Sequence, residues 1–224
     1  MKLAAAAASL VLCHAAGATP DADPNQVTVG ATNLFVCTDK IIRVTHTPDA
    51  SSTAYADRVS LIAKTDWAPV KFTKAESADA ITVTTAALKA VVTKATGAVS
   101  FFELDGTTPV LAELATSFNK TVDMGRDTYV VEQQWSTNPD EALYGGGEFQ
   151  NGLVNYKHAP VQLVQFNTEA IVPYFVSSDG YGILWDNYAW SYLNPADPAS
   201  ALTFKPVDTD AGTLNDGAAI GLRA

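Results

Sequence analysis

Cysteine is nearly absent from this chain of 224 residues, which holds only Cys13 and Cys37. Cys13 lies in an apolar N-terminal stretch that reads as removable, so Cys37 stands alone and no intrachain disulfide is available. Stability must then come from core burial rather than crosslinks. Histidine is also scarce, at three residues, and with one cysteine no zinc-ligand spacing exists. The acidic string Asp208-Thr209-Asp210 lacks enough spaced oxygen ligands for a calcium loop. No metal site and no cofactor is expected. Basic residues are outnumbered, 14 Lys and Arg against 24 Asp and Glu, for a formal charge of −10. Phosphate binding depends on concentrated Lys and Arg, so nucleic acid and anionic membranes are not expected partners. Beyond the N-terminus no apolar run approaches the roughly 20 residues of a membrane span. Internal repeats, charge runs and amphipathic helices of three or more turns are missing as well.

What is present begins with MKLAAAAASLVLCHAAGA. Lys2 supplies a positive n-region, residues 3–13 an apolar h-region, and Ala16-Gly17-Ala18 a small-x-small cleavage site. Residues 1–18 therefore read as a secretory signal, and the expected location is secreted or periplasmic. Residues 19–25 follow as a linker without periodicity. Residues 26–206 are expected to form one β-sandwich domain.

Within that domain, short β-branched or alternating runs are separated by turn residues. Strands are expected near 27–29, 34–37, 41–47, 57–64, 70–73, 81–84, 88–93, 98–102, 110–112, 128–135 and 202–204. TTAALKAVV at 84–92 is rich in helix formers, yet it allows only about two turns, and short isolated helices are marginal. The strand reading is preferred there. Ser177-Ser178-Asp179-Gly180 is a turn signal between two apolar runs, 170–176 and 181–185, so the pair reads as a hairpin. The class is all-β, a multi-stranded antiparallel sandwich.

The stretch 144–192 concentrates candidate functional residues. Gly145, Gly146 and Gly147, followed by Glu148, and Gly180 with Gly182, read as structural turns, because glycine suits positive φ or close chain approach. Glu148 is expected to accept backbone N–H bonds in its glycine turn. Glu148, Gln150, Asn151, Asn167, Thr168, Asp186 and Asn187 lie just outside the strands, where a hydroxylated ligand could meet them. Tyr181, Trp185, Tyr188 and Trp190 can offer aromatic faces, although strand aromatics more often pack in cores. His46 and His158 lie in no catalytic motif and are expected at the surface or at strand ends. Asn119-Lys120-Thr121 is a glycosylation sequon.

Three blocks carry a family resemblance: TAALKAVVTKATGAVSFFELDGTTPVLAE at 85–113, LYGGGEFQNGLVN at 143–155, and NTEAIVPYFVSSDGYGILWDNYAW at 167–190. Together they resemble glycoside hydrolase family 31, in its α-xylosidase and α-glucosidase branch. The part resembled is the N-terminal galactose-mutarotase-like β-sandwich that precedes a catalytic barrel, and the likeness covers roughly residues 26–195. It implies a partner carbohydrate, an α-linked glucoside or xyloside, and a loop after Gln165-Phe166 that reaches the substrate. Asn167, Thr168 and Glu169 are the substrate-contact candidates on that loop, Asn167 standing where relatives often carry Asp.

The family's catalytic carboxylates come from the barrel, one of them from a Trp-x-Asp-Met-Asn signature. Asp123-Met124-Gly125 and Trp185-Asp186-Asn187 both fall short of that signature, so no catalytic residue is assigned here. Residues 207–224 are expected to be a linker and the start of a truncated following domain, with GAAIGLRA at 217–224 resembling the first strand of a sugar-binding insert. The chain is expected to serve as a carbohydrate-binding or scaffold domain, inactive alone. A free-standing carbohydrate-binding module and an aldose-epimerase-like enzyme are the alternatives. An apolar face containing aromatics of 144–192 is expected to be exposed.

Overall fold

A computed structural model describes residues 23–48, 64, 66–123, 125–165, 167–187, 189–194, 201–206 and 217–222. For Arg126, and for 201–206 and 217–222 apart from Phe204, it describes the backbone alone. The secretory signal, the expected strand at 57–64 apart from Lys64, which is not in a strand, and most of the expected linkers at 19–25 and 207–216 lie outside these residues.

The described chain is all strand and loop. β1 (Gln26–Val29), β2 (Thr32–Val36) and β3 (Ile41–His46) form a meander. A second meander follows: β4 (Thr73–Glu76), β5 (Ala80–Thr84), β6 (Lys89–Thr93) and β7 (Val99–Phe102). β8 (Leu111–Asp123) and β9 (Arg126–Ser136) make a long hairpin. Then come β10 (Leu143–Glu148), β11 (Val161–Leu163), β12 (Ala170–Ser177), β13 (Tyr181–Asp186), β14 (Ser191–Leu193), β15 (Ala201–Pro206) and β16 (Gly217–Leu222). They assemble into a seven-stranded sheet, β1-β2-β3-β16-β13-β12-β10, and a nine-stranded sheet, β11-β14-β15-β9-β8-β7-β6-β5-β4. Every pairing is antiparallel.

Period-two alternation explains the layers. Leu34 and Val36 of β2, Ile42 and Val44 of β3, and Phe175, Ile183 and Trp185 from β12 and β13 are buried on one face of the smaller sheet. Val83, Ala90, Val92, Val99, Phe101, Leu111 and Trp135 answer from the larger one. Phe204 stacks on Trp185 with centroids 5.0 Å apart and the planes 12° from parallel, so the two sheets meet through this aromatic pair. Residues 89–93 are strand, as the competition with helix suggested: Ala90 and Val92 point inward while Lys89 and Thr93 do not. Cys37 is a buried free thiol.

Three expectations on boundaries require correction. β16 lies between β3 and β13, pairing with both, so residues 217–222 complete this domain instead of opening another. Its sequence, small and apolar, fits a strand flanked on both sides. At the other end, Asn25 is not linker: its side-chain amide donates to the Ala68 carbonyl at 2.9 Å and its carbonyl accepts the Val70 amide at 2.8 Å. The third correction concerns 70–73, where the strand begins at Thr73 and is exposed along its length at the sheet edge.

Candidate functional site

Gly145, Gly146 and Gly147 do not form a turn. They lie inside β10, which pairs with β12, and the register shifts between Gly145 and Gly147. All three have positive φ, 111°, 83° and 111°. The extra residues of this bulge are on β12, where Val172, Pro173 and Tyr174 oppose Gly146 alone, and the three glycines let β10 run close against them. A Cβ on Gly146 would sit 2.7 Å from the Phe175 ring and 2.8 Å from the Phe149 ring. Gly182 is likewise a strand residue, in β13, and the Tyr174 side chain lies over it. Gly180 does belong to a turn, with φ 89° and its amide donating to the Ser177 carbonyl. Glu148, at the exposed end of β10, accepts no backbone N–H among the described residues, because the glycine amides it was expected to cap belong to a strand.

The end of β10, where Glu148 pairs with Ala170, lies beside a loop at 165–169. The side-chain carbonyl of Gln165 accepts the Ile171 amide at 3.0 Å, and its amide donates to the Glu169 carbonyl at 2.9 Å. Gln150 donates to the Thr168 carbonyl at 3.3 Å. The backbone of the loop is thus tied down while the side chains of Asn167, Thr168 and Glu169 hold no hydrogen-bond partner among the described residues. Asn167 does not cap its own loop. Thr168 and Glu169, with Phe149, Asn151, Pro160, Val161 and Gln162, line a concavity of about 380 Å³. Phe149 contacts Tyr156 (5.3 Å between centroids), Tyr156 contacts Phe175 (6.3 Å), and Phe175 contacts Phe204 (6.2 Å). An aromatic file therefore runs from the concavity into the core. An aromatic edge beside amide, hydroxyl and carboxylate groups is the equipment a sugar ring requires, since it offers C–H faces as well as hydroxyls.

The other candidates disperse. Asn151 accepts the Leu153 amide at 3.0 Å, and Asn187 accepts the Ala189 amide at 2.8 Å; both shape local turns. Asp186 is fully buried and bonds Arg43 at 3.0 Å, across β16 and on the sheet face opposite Trp185. β12 stands between the strands of Asp186 and Glu148, so these two carboxylates are not gathered into one cleft. Trp185 and Tyr181 are core residues; Trp190 reaches the surface, and Tyr188 lies outside the described residues. A larger groove of about 800 Å³, lined by Glu103, Asp105, Thr107, Ser136, Asn138 and Asp179 among others, includes no aromatic side chain and none of the sequence candidates for substrate contact. No cluster of three or more potential metal ligands occurs among the described residues.

Two buried networks were not legible from the sequence. His46 does end a strand, but it is buried, with Nε2 2.9 Å from Oε1 of Glu113 in the other sheet. Glu113 also accepts from the Val99 amide at 3.1 Å, from Gln133 at 3.0 Å and from the Thr116 hydroxyl. Burial pushes the Glu113 carboxyl up, and the His46, Thr116 and Gln133 groups outweigh it, leaving the group below the usual carboxylate value. On the His46 side, Nδ1 lies 3.0 Å from the Thr32 hydroxyl, which donates to the Gly97 carbonyl. In the second network the hydroxyls of Ser177 and Tyr181 both donate to buried Glu141. Burial and the Glu141 carboxylate raise the Tyr181 phenol far above its ordinary range. The Glu141 network is buried in the core, whereas Thr32, His46, Gly97 and Thr116 of the first also line a concavity of about 290 Å³.

The outer face of the seven-stranded sheet carries exposed apolar side chains at its β10 and β12 end. Tyr144 faces Val176 across β10 and β12, and Tyr174 faces Leu184 across β12 and β13. Tyr144 (43%), Val172 (56%) and Tyr174 (44%) are exposed there. This face holds aromatics of the 144–192 stretch, as expected from the sequence.

Two antiparallel sheets and a bulged β10–β12 pair make a β-sandwich domain. The chain belongs to glycosyl hydrolase family 31, whose N-terminal galactose mutarotase-like domain matches residues 31–194. The structure of the GH31 α-xylosidase from Xanthomonas citri aligns at TM-score 0.67 and 36% identity, over 77% of this chain and 19% of that one. The α-xylosidase of Saccharolobus solfataricus is 42% identical over 71 residues, 28% of this chain and 10% of that protein. A GH31 α-xylosidase from a soil metagenome, solved with xylose, aligns at TM-score 0.65 and 23% identity over 88% of this chain and 31% of its own, a likeness of fold. The chain thus spans between a tenth and a third of the length of these relatives.

Proposed function

We propose that this chain is the exported, substrate-facing front domain of an α-xylosidase- or α-glucosidase-like enzyme. It buttresses a catalytic barrel with the apolar face of its seven-stranded sheet and lends the 167–169 loop to the mouth of the active site. The observation that carries this reading is the loop itself: its backbone is held from both sides, its three polar side chains are left available, and Thr168 and Glu169 share a concavity with Phe149. Retaining glycoside hydrolysis needs two carboxyl groups about 5 Å apart across the scissile bond. At this site Asp186 is engaged by Arg43, with a strand between it and Glu148. The reactive acids are therefore assigned to the barrel, and the chain is read as contributing contact.

Two measurements test this. The purified chain is expected to leave aryl α-xyloside and aryl α-glucoside intact, and turnover at an enzyme-like rate would overturn the reading. In amide NMR spectra, high millimolar methyl α-xyloside or methyl α-glucoside is expected to shift resonances at 149–151 and 167–169, with the rest unmoved. Absence of any shift at those positions removes the contact role. Docking makes a separate prediction. Val172→Thr with Tyr174→Ser is expected to lower dye binding and self-association, because it removes the two most exposed apolar side chains of the sheet face. Values unchanged from wild type would count against a covered face.

A further inference from the structure

We infer that Gln165 is a positioning residue whose side-chain amide stands in for a strand, holding the 167–169 loop open before any ligand arrives. The geometry is that of a peptide group in a sheet. One amide accepts the N–H of Ile171 and donates to the C=O of Glu169, two residues apart on the same segment. A neighbouring strand would bond that segment with the same pair of groups. β12 needs such a surrogate because β13 pairs only with its Tyr174–Val176 portion, while on the other edge the Ala170 carbonyl and the Val172 amide, not the Ile171 amide, face β10 at Gly147. The Ile171 amide is directed to Gln165. Gln150 adds a second tie from the end of β10, on the Thr168 carbonyl.

Three backbone groups of the loop are thereby satisfied by two exposed glutamines, and the side chains of Asn167, Thr168 and Glu169 are not drawn inward to do it. Loops that must bind without first folding gain by being fixed beforehand, since ordering on binding opposes affinity. The role in ligand contact rests on the function proposed above; the role in holding the loop does not.

The test is Gln165→Ala in the whole chain, read by hydrogen exchange and by sugar-induced amide shifts. The Ile171 amide is expected to exchange up to about tenfold faster, the factor that loss of one net hydrogen bond allows. The melting temperature is expected to stay near that of wild type, because Gln165 is exposed. Gln165→Glu keeps the acceptor for Ile171 and loses the donor to Glu169, so it is expected to fall between. Lys74→Ala, on the exposed edge strand β4, controls for surface substitution. Unchanged Ile171 exchange in Gln165→Ala overturns the inference outright. Faster exchange with sugar shifts as strong as in wild type overturns the positioning role. Faster exchange in a chain whose wild type shows no sugar shifts upholds the holding role and sinks the proposed function alone.

Discussion

Replacing Glu113 by Ala is expected to destabilise the chain by about 3–5 kcal/mol, because it strips several buried groups of one shared acceptor, each loss costing about 1–3 kcal/mol. The size follows from what is left behind. Glu113 serves His46, the Val99 amide, the Thr116 hydroxyl and the Gln133 amide, all at the junction of the two sheets. Alanine leaves each without that acceptor, and each group that water cannot reach from the concavity beside His46 and Thr116 adds its desolvation penalty. Glu113→Gln keeps the shape and one acceptor oxygen, so a smaller loss of about 1–3 kcal/mol is expected. Urea unfolding checks both: the midpoint should fall while the slope stays constant. A midpoint for Glu113→Ala within experimental scatter of wild type would show that the network contributes nothing net.

The same carboxylate sets an acid limb. Its folded-state value is depressed from the ordinary 4.5, so the unfolded chain binds the proton more readily. The stability it provides is complete above the unfolded value and declines as pH falls through the folded one. Wild type should therefore lose stability from about pH 5 downward more steeply than Glu113→Gln. Parallel curves for the two proteins would assign the acid limb to other carboxylates.

Much of this fold could be read from local pattern, and the failures share a cause. The hairpin of β12 and β13 was legible because alternating apolar residues flank a four-residue turn whose Ser177 hydroxyl accepts the Asp179 amide. β5 was legible because Ile81 and Val83 face in while Thr82 does not. The extension of β8 past residue 112 was not, since Leu114, Asn119, Lys120 and Val122 are exposed and no buried stripe marks the strand. β10 was mistaken for a turn because glycine is the strongest turn signal and its other use, a bulge pressed on a neighbour, has the same local spelling. β16 takes a slot between two strands distant in sequence, a fact no local pattern contains. The site divides likewise. Asn167, Thr168 and Glu169 are candidates by family likeness alone, and the structure leaves their side chains available. His46 and Glu113 come from different sheets, and an exposed glutamine such as Gln165 has no sequence signature for bonding two backbone groups.

Gly147→Ala joins the fold to the site and is expected to cost roughly 3 kcal/mol or more, among the largest effects of any single methyl in this chain. Its φ of 111° lies where L-residues are strained, a penalty of about 1–3 kcal/mol by itself. The added Cβ would also be driven against the Ala170 carbonyl and the Val172 amide, both backbone atoms of β12 that cannot rotate away. Gly30→Ala separates the two terms: φ is 59° and nothing lies within 4 Å of the new carbon, so only the left-handed penalty of about 1–2 kcal/mol applies. Denaturant unfolding of the pair should rank them with Gly147→Ala clearly lower. Because Gly147 pairs with Ile171, relief of the clash can come only by parting β10 from β12 at the loop, and the Ile171 amide should then lose protection together with 167–169. Equal destabilisation of the two variants would mean that β12 yields without resistance, and the bulge would then be an accident of the backbone and not the feature that presents the loop.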